Sequence, residues 1–363
     1  MINIFSDLNI PEKDLLYKEA PIAETQGKLT SAQLFVIYKY NWFHLLIPKS
    51  LGGEEMPLPQ FARFMEYLAA IDGSFAWNVN LGAGANMFAG FMEQTTASKI
   101  FSSKKTCVAG SGAVGGTATA KDGGFIINGH WKYASGSAHA NYFSLNAFLA
   151  DGEDNEYASF LVPAAEVELL NNWNVFGMKA TSSCEFKVNN TWVPSSYMFD
   201  LQKPSSTINS TLYKFPFMLL AEINMLVMIT GLAIHFYEKV IEQAKEKVLT
   251  NKNESLLLFE HPIFREALNK NEFSFFESRR ITFSLLNELW REVADEKKIT
   301  KELSSSFSKS VSDTADSARK LVDALYPFAG MKVVFENTEI SRIYRDFKVA
   351  SQHALLSPAA LIW

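Results

Sequence analysis

Aromatic and hydroxyl side chains lie close together between Trp131 and Gly136, where the sequence reads Trp-Lys-Tyr-Ala-Ser-Gly. The rings of Trp131 and Tyr133 can stack on a flat ligand, while the Ser135 hydroxyl and nearby backbone groups bind its polar edge. This pattern indicates a site for a planar molecule rich in heteroatoms. A flavin fits that description, but the pattern alone does not select it among planar heterocycles.

The glycine-rich segment before this stretch has the spacing of a dinucleotide-binding motif. Residues 110–115 read Gly-Ser-Gly-Ala-Val-Gly, which satisfies G-x-G-x-x-G. That motif works only with a helix after the glycines to bind pyrophosphate and an acidic residue about 20 positions further on. Here a turn and a strand follow, and the corresponding position is Ser135. We therefore interpret the segment as a flexible ligand-contacting loop or an ordinary glycine-rich connection.

Two titratable side chains, Glu222 and His353, are candidates for acid–base chemistry. Glu222 lies in an apolar helix, where burial raises the pKa of an unpaired carboxyl. It could instead pair with a basic residue of another helix or lie exposed at the helix start. His353 lies near the C-terminus, and imidazole is a common general acid or base because it titrates near neutral pH. A lone histidine is also often a surface or hydrogen-bonded residue without a catalytic role.

Composition and missing motifs exclude several other classes of function. The chain has 363 residues, a formal net charge of −5 and no long basic tract, so we expect no nucleic-acid partner. The two cysteines and six histidines lack metal-ligand spacing, so we expect no metal site. No G-x-S-x-G motif supports a nucleophilic serine. The N-terminal residues lack the features of a secretory signal, which predicts a cytoplasmic location.

The spacing of hydrophobic residues divides the chain into helical, strand-rich and helical parts. Residues 12–101 favour helices, with a capping box at Thr30–Gln33 and a helix that begins near Leu58. From Cys107 to about Asp200 the period becomes two, which predicts short strands in a barrel or sandwich. A polar linker at residues 202–210 then leads into long helices.

The most apolar helix, at residues 217–237, raises the question of a membrane span. Glu222 and Asn224 interrupt it, and neither a basic flank nor a second span supports insertion. We therefore predict a central bundle helix and no membrane partner. The expected domains are residues 1–105 (α-helical), 106–200 (β-barrel) and 211–363 (helical bundle).

Five short motifs, in order along the chain, resemble those of the acyl-CoA dehydrogenase superfamily over nearly the whole sequence. They are residues 48–53 for its P-x-x-x-G-G loop, 69–74 for A-x-x-D-x-S, 123–129 for G-G-[YF]-x-[LI]-[NS]-G, 177–183 followed by Val193-Pro194 for G-x-[RK]-x-[ST]-x-S … V-P, and 342–346 for R-x-x-R-D. Each motif is short, and their common order predicts the fold.

The resemblance implies an α+β multidomain chain with an N-terminal helical domain, a middle antiparallel β-barrel and a C-terminal four-helix bundle. It also implies a flavin, FAD or FMN, between barrel and bundle, in a homotetramer or homodimer. By the matching strand, Tyr133 would lie against the isoalloxazine ring, and Ser135 would hydrogen-bond near N5 and O4. Main-chain groups of Ala109, Gly110 and Ser111 would contact the pyrimidine edge.

Two departures from the dehydrogenase pattern change the expected chemistry. The carboxylate that removes the substrate's α-proton in that family follows R-D, but here residues 352–356 contain His353 and no carboxylate. The family's pyrophosphate-binding R-x-x-F-G-x-x-[IL] segment is also absent. Two features resemble the two-component monooxygenases that share this fold: the histidine after R-D and the Trp-Lys-Tyr-Ala-Ser-Gly sequence at residues 131–136. In that branch a separate reductase supplies reduced flavin, and His353 would act on activated oxygen or deprotonate a phenol.

These residues and the resemblance together predict a flavin-dependent oxidoreductase. The expected activity is a reduced-flavin monooxygenase, or hydroxylase, that acts on a small organic substrate with His353 as a catalytic residue. One alternative is an acyl-CoA dehydrogenase that oxidises the Cα–Cβ bond of an acyl thioester with Glu222 as base. A second alternative is a non-catalytic binding protein that kept the fold and lost the chemistry. The cofactor would be FAD or FMN, used as diffusible reduced flavin in the favoured case.

Overall fold

A computed structural model describes residues 5, 8–153, 155–201, 208–251 and 254–356. Helices occupy the first hundred residues, a sheet follows, and helices return after residue 210. The first part contains α1 (Lys13–Gln26), α2 (Ser31–Lys39), α3 (Leu58–Ala69), α4 (Gly73–Asn86) and α5 (Gln94–Ile100). Asp154 and residues 202–207 of the predicted linker lie outside the described residues.

Side chains that bind free backbone N–H groups determine where helices begin in this part. The Gln33 N–H donates to Thr30 Oγ1 at 3.2 Å, and the Thr30 N–H donates to Gln33 Oε1 at 3.1 Å. This reciprocal pair confirms the predicted capping box of α2. Asp72 accepts from the Phe75 N–H at 2.6 Å and caps α4. Asp72 therefore fixes the start of the helix that carries Trp77 toward the sheet.

The strands of the middle part form a seven-stranded sheet in the order β5-β6-β2-β1-β3-β4-β7. They are β1 (Val108–Lys121), β2 (Gly124–Ala134), β3 (Tyr142–Leu149), β4 (Tyr157–Pro163), β5 (Glu168–Leu169), β6 (Cys184–Pro194) and β7 (Met198–Phe199). The pairing of β1 with β3 is parallel, because the chain crosses over β1 after β2 instead of returning by a hairpin. The sheet is therefore mixed, and the prediction of purely antiparallel strands is wrong for this pair.

The glycine-rich segment at residues 110–116 is part of β1 and not a flexible loop. Its pairing with β3 shifts register between Gly110 and Val114 and again before Gly116. A Cβ atom on Gly110 would lie 2.1 Å from Ser144 Oγ, so glycine is needed for the two strands to approach. Strand β2 follows the segment, which agrees with our exclusion of a dinucleotide motif.

Helices form the last part of the chain. They are α6 (Thr211–Lys214), α7 (Phe217–Glu246), α8 (Pro262–Ala294), α9 (Lys301–Leu325) and α10 (Glu339–Ala350), with a hairpin of β8 (Val248–Asn251) and β9 (Glu254–Leu257) between α7 and α8. Helix α7 is long and apolar enough to cross a bilayer, but 78% of its most apolar window is buried inside the protein. It packs against α3, α9 and α10, as a central bundle helix does.

A buried ion pair joins three helices across the core. Glu66 of α3 is fully buried, and Arg279 of α8 donates to it through Nε at 2.7 Å and through Nη2. The Thr230 hydroxyl of α7 donates to the same carboxylate at 2.6 Å. The carboxylate is thus well hydrogen-bonded, which a buried charge requires. This contact holds α3, α7 and α8 at fixed relative positions.

Replacing Glu66 by glutamine is expected to lower the free energy of unfolding by about 3–5 kcal/mol, because Arg279 would remain buried without its counter-ion. Chemical denaturation measures the change. The exposed pair of Lys309 and Asp313 offers a matched control. Asp313→Asn should change the free energy of unfolding by about 1 kcal/mol or less. Similar small effects of both substitutions would contradict the structural role of Glu66.

Candidate functional site

Trp77 of α4 contacts two of the residues that the sequence analysis placed in a site. Its indole Nε1 donates to Ser135 Oγ at 3.1 Å. Its ring meets the His353 imidazole edge-on, with ring centroids 6.0 Å apart and planes at 61°. The structure therefore brings Ser135 of the β2–β3 connection and His353 of the C-terminal segment to one aromatic side chain. Sequence reasoning did not single out Trp77.

The end of β2 is irregular at the residues predicted to contact a ligand. Tyr133 has a φ of +68°, which bulky residues rarely adopt, and the pairing with β6 shifts register between Trp131 and Ala134. In a regular strand, residues two apart share a face. Here Tyr133 is 66% exposed while Trp131 is buried and stacks on Phe186. Tyr133 thus offers its ring to a ligand, whereas Trp131 belongs to the core and not to a ligand-stacking pair.

Ser135 is buried and belongs to a row of hydroxyl groups. Its Oγ lies 2.7 Å from Ser183 Oγ, which in turn lies 2.7 Å from Thr181 Oγ1. The Thr181 hydroxyl donates to the Met178 carbonyl at 2.8 Å. The motif at residues 177–183 was recognised in the sequence, but its connection to Ser135 was not. The only available signal was the density of hydroxyl residues in that motif.

Asp346 of α10 anchors the loop that contains this row. It accepts a hydrogen bond from the Met178 backbone N–H, and the Ser74 hydroxyl donates to it at 3.4 Å. Burial, together with the negative charge of Asp72, raises the pKa of Asp346 to about 7. The R-D motif therefore connects α10 to the loop behind Ser135, which is a structural role.

His353 has one ring nitrogen bonded to the backbone. Its Nδ1 accepts from the Leu355 N–H at 3.3 Å, so the neutral ring carries its proton on Nε2. Burial lowers the pKa of His353 below its ordinary value of 6.5. At pH 7 the imidazole is therefore neutral and presents an Nε2–H donor.

The three predicted main-chain ligands, Ala109, Gly110 and Ser111, lie near the start of β1. Ala109 is buried in the sheet core, and Gly110 packs against β3. The Ser111 hydroxyl is half-buried and accepts from the Ala113 N–H at 3.4 Å. Their contact with a flavin stays a prediction.

Glu222 lies on α7 and is directed toward Ser308 of α9. Burial raises the pKa of Glu222, and its Oε2 is buried without a hydrogen-bond partner among the described residues. Asn224 lies on another side of α7, since its backbone carbonyl accepts from the side-chain amide of Asn80 on α4 at 2.9 Å. The contact found for Glu222 therefore lies away from the α4 side of the helix, where Trp77 is. Its catalytic role stays a prediction.

These side chains fit a planar heteroaromatic cofactor. Tyr133 provides an accessible ring face, and Ser135 and His353 provide polar atoms within reach of the same indole. Within the described ranges, no group of three His, Cys, Asp or Glu side chains could hold a metal ion. An accessible ring face, a hydroxyl group and an imidazole are groups that suit an organic ring.

Comparisons with known proteins give one consistent result. The family model of the acyl-CoA dehydrogenase C-terminal domain matches residues 225–358. An indole-3-acetate monooxygenase from Acinetobacter baumannii is 24% identical over 328 residues, which cover 89% of this chain and 83% of that protein. The oxygenase component of p-hydroxyphenylacetate 3-hydroxylase from the same species is 23% identical, with 93% and 82% covered.

A solved structure with the same fold is XiaF from Streptomyces sp., in complex with FADH2 and glycerol. It matches with a TM-score of 0.87 at 20% identity and covers 95% of this chain and 89% of that chain. The fold is therefore acyl-CoA dehydrogenase-like, as the five motifs predict, while the expected domain boundaries stay a prediction. Residues 225–358 thus match the acyl-CoA dehydrogenase C-terminal domain, and most of the chain is similar in sequence to flavin-dependent monooxygenases and hydroxylases.

Proposed function

We propose that the chain is the oxygenase component of a two-component flavin-dependent monooxygenase, which hydroxylates a small organic substrate. The observation that carries this proposal is the contact of Trp77 with both Ser135 and His353. Through Trp77, the residue predicted to bind the flavin edge is linked to an imidazole rather than to a carboxylate. The similar proteins are monooxygenases or hydroxylases, and XiaF was solved with FADH2.

The remaining expectations belong to the same proposal. The three parts of the chain would be domains at residues 1–105, 106–200 and 211–363, with the strands closed as a barrel and the last helices as a four-helix bundle. The cofactor, FAD or FMN, would arrive in reduced form from a separate flavin reductase. The protein would work as a homotetramer or homodimer in the cytoplasm. The naming of one relative as an oxygenase component supports the separate reductase.

When bound, a reduced flavin supplies the two electrons with which dioxygen is activated. The chain's own residues would position that cofactor. Tyr133 would cover part of its ring, Ser135 would bind its edge, and the start of β1 would contact its pyrimidine side. Trp77 fixes Ser135 through its indole N–H, so the polar contact is held in place before the cofactor binds.

His353 would donate a hydrogen bond rather than remove a proton. Because Nδ1 accepts from the Leu355 N–H, the neutral ring has its proton on Nε2 and no free lone pair at that atom. This arrangement suits hydrogen-bond donation to activated oxygen better than deprotonation of a phenol. Of the two roles expected from the sequence, the geometry therefore supports donation.

The two alternatives have less support. The dehydrogenase alternative needs a carboxylate beside the flavin ring, but Glu222 is directed toward Ser308 of α9. The non-catalytic alternative does not explain why a neutral His353 is positioned by the backbone and lies against Trp77.

The state of the purified protein tests the proposed function. We expect a colourless protein that binds reduced FMN or FAD under anaerobic conditions and consumes it in air. Binding is measured by anaerobic titration with fluorescence or absorbance detection. A yellow protein with tightly bound flavin that is bleached by acyl-CoA without oxygen would contradict the proposal and favour the dehydrogenase.

The pH dependence of product formation tests the role of His353, with p-hydroxyphenylacetate and indole-3-acetate as probe substrates. Because burial lowers the pKa of His353, the neutral donor form persists at pH 7 and is lost only below its ordinary pKa of 6.5. Protonation there would place a second proton at Nδ1, facing the Leu355 N–H. Product formation should therefore be flat from neutral pH upward and fall on the acid side.

His353→Asn should lower product formation about 100-fold at pH 7 and remove that acid limb. His130→Asn is the control, because His130 lies on β2 in a half-exposed pair with Glu185 at 2.6 Å. It should retain the wild-type profile. An acid limb centred above pH 7, or one that persists in His353→Asn, would contradict the assignment.

A further inference from the structure

The row of hydroxyl groups behind Ser135 has a donor at one end and an acceptor at the other. The Trp77 indole Nε1–H can only donate, and the Met178 backbone carbonyl can only accept. Between them lie the hydroxyls of Ser135, Ser183 and Thr181, with 2.7 Å between successive oxygens. We refer to these five groups as the hydroxyl row.

The two ends determine the direction of every hydrogen bond in the hydroxyl row. Thr181 has one hydroxyl proton and donates it to the Met178 carbonyl at 2.8 Å. The contact between Ser183 and Thr181 must therefore use the Ser183 proton. Since Ser183 has already donated its one hydroxyl proton to Thr181, the contact between Ser135 and Ser183 must use the Ser135 proton.

Ser135 is consequently left without a proton for a ligand. Its hydroxyl proton is donated to Ser183, and one of its two lone pairs accepts from Trp77 Nε1 at 3.1 Å. The second lone pair is the only hydrogen-bonding position that remains. Toward any ligand, Ser135 is therefore an acceptor only.

Reversing the direction of the hydrogen bonds in the hydroxyl row would be costly because its three hydroxyl residues are buried, so water cannot replace a lost bond among them. Ser135, Ser183 and Thr181 are 8%, 4% and 1% exposed. If the whole row reversed so that Ser135 could donate to a ligand, the bond from Thr181 to the Met178 carbonyl would be lost, and these two buried oxygens, 2.8 Å apart, would face each other with no proton between them. The acceptor end is also held in place. The Met178 carbonyl accepts from Trp173 Nε1 at 3.0 Å and from the Thr181 backbone N–H at 3.2 Å, and the Met178 N–H donates to Asp346.

The two redox states of a flavin differ in whether N5 can donate a hydrogen bond to Ser135. In the reduced ring N5 carries a hydrogen and donates, whereas in the oxidised ring N5 has only a lone pair. We propose that the hydroxyl row makes this site select reduced over oxidised flavin, with Ser183 and Thr181 as positioning residues that act through Ser135. The inference rests on the proposed function, which puts N5 beside Ser135.

Such a selection would suit an oxygenase whose cofactor arrives from elsewhere. Reduced flavin would be bound by a matched donor and acceptor. Once the cofactor is oxidised, two acceptors would face each other in a buried site, which weakens binding and favours release. The same hydroxyl row would therefore favour both uptake and turnover of the cofactor.

The ratio of the dissociation constants of oxidised and reduced flavin tests this inference, measured anaerobically on the full chain with FMN and FAD as probes. Ser183→Ala leaves the Ser135 proton free to donate to oxidised N5. Affinity for oxidised flavin should then rise about tenfold while affinity for reduced flavin changes little. A tenfold change in this ratio corresponds to about 30 mV in the two-electron potential of the bound flavin.

Thr181→Val is a second variant with the same expected shift, because it removes the group that accepts from Ser183. Ser137→Ala is the matched control. The Ser137 hydroxyl lies in the same turn but donates to the Ser182 carbonyl, outside the hydroxyl row. In Ser137→Ala the ratio of the dissociation constants of oxidised and reduced flavin should equal that of the wild type.

The outcomes separate the two proposals. A wild type that binds reduced flavin, with ratios unchanged in both Ser183→Ala and Thr181→Val, would overturn the selection mechanism and leave the proposed function intact. An equal shift in Ser137→Ala would overturn it as well. A wild type that binds neither redox state would overturn the proposed function itself.

Discussion

The hydrogen bond from the Trp77 indole to Ser135 is the contact on which the rest of the site depends. It joins helix α4 to the end of strand β2, and the same ring packs against His353 at the end of the chain. Three separate segments thus meet at one rigid side chain. The Asp72 cap fixes where α4 begins and therefore where Trp77 lies. Changes far from the site in sequence can in this way alter its geometry.

The other end of the hydroxyl row depends on the helical part of the chain. Asp346 of α10 holds the Met178 N–H, and Gly177 lies so close to α10 that a Cβ would be 2.2 Å from the Arg345 carbonyl. The sheet and the last helix therefore meet without a gap at this loop. Donor and acceptor ends come from different elements, so the direction of the hydrogen bonds is a property of the whole fold.

Local patterns in the sequence predicted the elements whose structure is determined locally. The Thr30–Gln33 capping box and the start of α3 at Leu58 were predicted because short-range bonds and local hydrophobic spacing determine them. Strand β1 was missed, since its glycines carry no alternation and its pairing depends on β3, about thirty residues away. The parallel pair and the β8–β9 hairpin were missed for similar reasons.

The site was predictable only in part. Tyr133, Ser135 and His353 could be proposed from motifs, but the different exposure of Trp131 and Tyr133 depends on a register shift between Trp131 and Ala134 that residue types do not encode. The direction of Glu222 depends on the rotation of α7 within the bundle, and the hydroxyl row depends on tertiary contacts between β2 and the 177–183 loop. Both features are set by contacts between elements that are far apart in the sequence.

The most direct test of the proposed flavin site is a crystal structure of the full chain, determined from crystals soaked with reduced flavin under anaerobic conditions. The account predicts isoalloxazine density against Tyr133, with N5 within hydrogen-bond distance of Ser135 Oγ and His353 Nε2 directed toward the same ring. Density at another place on the protein, or a ring bound with N5 away from Ser135, would contradict it.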